Sequence, residues 1–111
     1  SSELILVDSM HERKNKMTEL ADAFIMAPGG AGSLEEFFEM YSWAQIGIHQ
    51  KPIGVFNLNG FFNPLQTLID HMIEEGFIDK KYKALAPLYD TKEALIDGLL
   101  NYKPLGVRTY D

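Results

Sequence analysis

An α/β fold built on a parallel sheet is the architecture this sequence predicts, and three observations carry the expectation. Short β-branched, apolar runs alternate with segments of helical spacing. One of those runs passes into a helix through the glycine-rich stretch Pro28-Gly29-Gly30-Ala31-Gly32. The chain is 111 residues long, which is room for a single domain.

Each element has its own reason. Leu4-Ile5-Leu6-Val7 reads as a buried strand because it is continuous, apolar and β-branched. From His11 to Ala21 the spacing turns helical, with Met10, Met17, Leu20 and Ala21 able to share a face. Phe24-Ile25-Met26-Ala27 is a second buried strand, stopped by Pro28 and the glycines. A helix is expected from Ser33 to about Ile46, with Leu34, Phe37, Phe38, Tyr41 and Ala44 on one apolar face. Pro52 to Phe56 gives a third strand, and a helix follows from Asn63 to Glu75, closed by Gly76. Ala84 to Tyr89 is a fourth strand weakened by Pro87, and Asp90 caps the last helix with Glu93 as its capping-box partner.

Strands alternating in this way with helices of about 10–15 residues form right-handed βαβ units. The expectation is a single, partial, Rossmann-like three-layer domain over residues 1–111. A buried strand among the first ordered residues further predicts that an N-terminal βα segment of the sheet is lacking.

Composition narrows the function. A net charge of −6 argues against a nucleic-acid partner, whose affinity rests on Lys and Arg neutralising phosphates. It leaves room for one small anion held by backbone dipoles and a few cations. No apolar run reaches the roughly 18–20 residues of a membrane span, and no signal-peptide pattern opens the chain, so a cytoplasmic protein without a membrane partner is expected. With no cysteine there is no thiolate nucleophile and no zinc–thiolate site. His11, His49 and His71 fall in different elements without paired-ligand spacing, so no metal is expected. No lysine is marked for a Schiff base, and no cofactor is expected.

Chemistry concentrates at the glycine turn. Glycines between strand and helix permit positive φ and let a ligand approach the backbone. The amides of Gly30 through Leu34 would point outward at a helix N-terminus, where the dipole favours phosphate. Ser33-x-x-Glu36 has a competing reading as a capping box that needs no ligand, and Glu35 as a solvated first-turn acid. Arg13 and Lys14 follow the first strand, on the edge where open α/β sheets bind ligands. Trp43, Ile46 and Ile48 are either core or a dimer seam.

Three blocks, Met10-His11-Glu12-Arg13-Lys14, Pro28 to Glu36 and Trp43 to Pro52, together resemble the Lonely-guy family of cytokinin riboside 5′-monophosphate phosphoribohydrolases, many of which carry the name lysine decarboxylase. The resemblance runs from Glu3 to about Ile78, with Ser33 where the family has threonine. It implies hydrolysis of the N-glycosidic bond of a purine nucleoside 5′-monophosphate, in a homodimer. It further implies Arg13 and Glu36 as catalytic, and Met10, Lys14, Gly29, Gly30, Ala31, Gly32, Ser33, Leu34, Glu35 and Ser42 as substrate-binding alongside them. A non-catalytic nucleotide carrier is the alternative, expected if Glu36 is absorbed by its capping box and turned from the pocket. A structural remnant, folding only within an oligomer, is the third reading.

Overall fold

The structure is a computed structural model and describes residues 21–105. Three strands, β1 (Phe24–Met26), β2 (Ile53–Phe56) and β3 (Leu88–Tyr89), form one parallel sheet in the order β1-β2-β3. Register pairs Met26 with Val55 and Val55 with Leu88. The connections run through α1 (Ala31–Gln45) and α2 (Asn63–Glu74), and α3 (Lys92–Leu100) follows β3. The predicted first strand and the helix from His11 lie outside the described residues.

Alternation along β2 assigns the layers. Ile53 and Val55 are buried in one cluster with Phe37 and Tyr41 of α1 and Leu65 and Ile69 of α2. Gly54 points the other way, toward Leu95 and Leu99 of α3. Helices therefore cover both faces, and the expected three-layer α/β arrangement with a parallel sheet is what the chain forms. Gly54 is required for this packing: a Cβ there would stand 2.5 Å from Leu95 Cδ1.

Three expectations are corrected. The predicted strand over 84–89 shrinks to two residues, because Lys80–Leu85 is a 3₁₀ helix capped by Asp79, which accepts from Lys81 N at 3.0 Å. Pro87 has no N–H for a ladder, though its carbonyl accepts from Val55 N at 3.0 Å. The last helix is capped by Thr91, whose Oγ1 accepts from Ala94 N at 3.1 Å, and not by Asp90. Ile25, expected within a buried strand, is 57% exposed. It shares register with Gly54 and hence the face of α3, but α3 lies over β2 and β3.

Candidate active site

The turn after β1 is short and its geometry decides which groups are available. Gly30 is the N-cap residue of α1, with φ −107° and ψ −152°, and the helix begins at Ala31, two residues before the expected start. Ser33 is thus inside the first turn and caps nothing, so the capping-box reading of Ser33 and Glu36 fails. Leu34 N donates to Gly30 O at 3.2 Å and is committed to the helix. The amides that precede any intrahelical acceptor are those of Gly30, Ala31, Gly32 and Ser33, one fewer than the sequence suggested.

The glycines of this turn do not act through positive φ. That conformation belongs to Gly47, Gly60 and Gly76. Gly29 is needed for close approach, since a Cβ there would run into the Ser33 hydroxyl. Among the described residues, nothing lies within 4 Å of a notional Cβ at Gly30 or Gly32. Gly32, inside a helix where alanine is favoured by about 1 kcal/mol, keeps the backbone bare toward open space.

Beside this turn a cleft of about 290 Å³ runs along β1 and α1. Ser33, Glu36 and Glu39 give it polar groups, and Phe24, Met40 and Ile53 are among its apolar walls. The volume is near the lower end of ligand pockets, about 300–1,000 Å³. One oxygen of Glu39, Oε1, is sealed from solvent. Sequence reasoning passed over Glu39, although its spacing of three from Glu36 and six from Ser33 was a usable signal.

Other predicted site residues sort clearly. Gly29, Gly30, Ala31, Gly32, Leu34 and Glu35 are exposed around the helix start. Ser42 is exposed, nine residues beyond Ser33 on α1, and is not among the residues that line the cleft. Met10, Arg13 and Lys14 lie outside the described residues. His49 is buried, its Nε2 donating to Met40 O at 2.9 Å and its Nδ1 accepting from Lys51 N at 3.1 Å, so it braces the exit of α1. Among the described residues no group of His, Cys, Asp and Glu is placed to hold a metal. No helix there is long and apolar enough to cross a membrane.

A second polar knot went unread in the sequence. Asn57, 5% exposed at the carboxyl end of β2, accepts from Phe62 N at 2.6 Å and donates to Asn63 Oδ1 at 2.8 Å. Its Nδ2 also reaches Asp90 Oδ1 at 3.5 Å. The knot ties the start of α2 to the loop after β3.

Known proteins resemble this chain over nearly its whole extent. The profile of a family described as "Possible lysine decarboxylase" matches residues 1–99. A rice (Oryza sativa subsp. japonica) protein named probable cytokinin riboside 5′-monophosphate phosphoribohydrolase is 46% identical over 102 residues, 92% of this chain and 42% of the relative. Another rice cytokinin riboside 5′-monophosphate phosphoribohydrolase is 44% identical over 92% of this chain and 42% of its own length. One from Arabidopsis thaliana is 43% identical over 92% of this chain and 47% of its own. The chain therefore spans less than half the length of these relatives. The family match and the identity to these relatives agree, and the chain belongs to the family described as possible lysine decarboxylase, the Lonely-guy group that its three sequence blocks resemble.

Proposed function

We propose that the protein hydrolyses the N-glycosidic bond of a purine nucleoside 5′-monophosphate, releasing free base and ribose 5-phosphate. The observation that carries this is the convergence of Ser33 and Glu36 on one cleft beside the uncommitted amides of the glycine turn. The relatives' names suggest the reaction, and the cleft beside the turn supports this reading.

The 5′-phosphate sits on the amides of Gly30 to Ser33, where the helix dipole favours an anion. Gly29, Leu34 and Glu35 frame that turn. Binding at this remote group orients the sugar, so the reacting carbon is held rather than found by collision. As the C1′–N bond breaks, positive charge develops at C1′, in the manner of glycoside hydrolysis. Glu36 faces that charge and takes a proton from the water whose oxygen bonds to C1′. The departing base keeps the bond's electron pair and takes up one proton from water, while Glu36 returns its own to solvent, so no net proton is gained or lost. Arg13 acts with Glu36 in catalysis, and Met10 and Lys14 complete the substrate site.

The working form is a cytoplasmic homodimer. Ile46 and Ile48, 72% and 59% exposed at the exit of α1, supply the apolar seam, while Trp43 packs on the core. Ser42, exposed on α1, belongs with the substrate-binding residues. Incubation with adenosine 5′-monophosphate, followed by assay of free adenine and ribose 5-phosphate, is the direct test. Release of neither product from this nucleotide or an N6-substituted analogue, with binding intact, would favour the carrier reading.

A further inference from the structure

Phe77 is the most exposed large apolar side chain among the described residues, at 83%. It stands in a turn that is fixed on both sides. Gly76 closes α2 in the left-handed conformation, with φ +85°, and its N–H donates to Ile73 O at 3.0 Å. Phe77 N and Ile78 N both donate to Met72 O, at 2.8 and 3.3 Å, and Ile78 packs on the core. Asp79 then caps the 3₁₀ helix. A ring held out by such a turn loses little freedom when it is covered, which suits it to anchor a contact.

Charge is ordered around the ring. Glu74 and Glu75 precede it, Lys80 and Lys81 follow it, and all four are exposed. The two acids stand at the carboxyl end of α2, where the helix dipole disfavours negative charge. Among the described residues, Glu74, Glu75 and Lys80 have no ion-pair partner. A segment that runs acid, ring, base is complementary to itself when two copies cross antiparallel. A two-fold axis at the ring sets each acidic pair against the basic pair of the other copy. The exits of α1 and α2 lead toward parallel strands, so the turn shares the amino edge of the sheet with exposed Ile46 and Ile48. The glycine turn follows the carboxyl end of β1, at the opposite edge.

We propose that residues 74–81 form a surface that takes a second copy of this chain. Phe77 lies at the two-fold axis, and Glu74 and Glu75 of each copy pair with Lys80 and Lys81 of the other. This goes beyond the homodimer reading, which names neither this turn nor an orientation for the two copies.

The test is sedimentation of the full chain over a concentration series, with circular dichroism to confirm that each variant is folded. Wild type should associate, and less tightly as salt screens the exposed charge pairs. Phe77→Ser should weaken association by about tenfold or more, the effect of losing a central anchor. The double variant Glu74→Lys with Glu75→Lys should associate poorly, because like charges then meet, and so should Lys80→Glu with Lys81→Glu. Mixed one to one, the two double variants should associate again, since both contacts then join opposite charges. A merely structural role of these side chains would give no such rescue. A wild type that stays monomeric overturns the inference together with the homodimer reading. Association that survives Phe77→Ser and both charge reversals, but is lost on replacing Ile46 and Ile48 by serine, overturns the inference and leaves the homodimer standing.

Discussion

The Ser33 side chain lies directly against the bare Cα of Gly29, so that a methyl group at Gly29 and the Ser33 hydroxyl cannot occupy their places together. Gly29→Ala should push Ser33 to another rotamer, leaving the fold intact because the turn is exposed. Affinity for ribose 5-phosphate should fall about tenfold, which calorimetry would measure. Gly32→Ala makes the opposite trade. Among the described residues nothing opposes its Cβ, so stability should rise by up to about 1 kcal/mol, from better helix propensity. Phosphate binding should weaken, because the methyl projects into the space kept open at the helix start. A stabilised Gly32→Ala with unaltered affinity would mean that no ligand approaches there.

Glu36 lines the cleft without serving as a cap. Glu36→Gln keeps the shape and removes the charge, so it should separate binding from chemistry. Turnover of the nucleotide should drop by about 10²–10⁴, the usual range for a lost acid–base group. Affinity for ribose 5-phosphate should stay within about threefold. Near-normal turnover in this variant would remove Glu36 from the mechanism.

How much of this was legible beforehand depended on whether a signal was local. The strand–glycine–helix sequence of residues 24–45 was readable because apolar runs, glycines and helical spacing act within a few residues of each other. The start of α1 was misplaced for the same kind of reason: Ser33 and Glu36 make a plausible capping pair on paper, and only the path of the backbone at Gly30 decides otherwise. The last helix shows the same ambiguity, since Asp90 and Thr91 are both good caps and Asp90 is drawn instead toward Asn57. The 3₁₀ segment over Lys80–Leu85 was invisible because its partners are distant, with Tyr82 O accepting from Tyr41 Oη at 3.0 Å across 41 positions. Glu39 and Asn57 were missed as site and scaffold because burial of a polar side chain is a tertiary property.

Asn57 ought to be costly to replace. Its Oδ1 is the acceptor for Phe62 N at 2.6 Å, in a buried setting at the entry to α2. Asn57→Ala strands that amide and releases Asn63, and a buried unsatisfied group costs about 1–3 kcal/mol. Asn57→Asp keeps the acceptor but sets a carboxylate oxygen against Asn63 Oδ1 and Asp90 Oδ1. Both variants should lower the urea midpoint. The Asp variant should recover part of its stability as the pH falls toward the carboxylate range, and a pH-independent loss would contradict the repulsion.

Tyr41 gives the fold a specific alkaline limit. It is 1% exposed, and burial raises its phenol from 10.0 to about 12, while its hydroxyl donates to Tyr82 O. The unfolded chain loses this proton near pH 10 and the folded chain only near 12. The unfolded state therefore binds fewer protons between those values, and stability must fall across that window and be complete below it. Tyr41→Phe removes the titrating group along with one hydrogen bond, which should cost about 1 kcal/mol at neutral pH. Above pH 10 the variant should lose less stability per pH unit than wild type, as measured by urea unfolding at a series of alkaline pH values. Tyrosinate absorbance should show one fewer late-titrating group in the variant, and equal slopes for the two proteins would mean that the Tyr41 proton is not linked to unfolding.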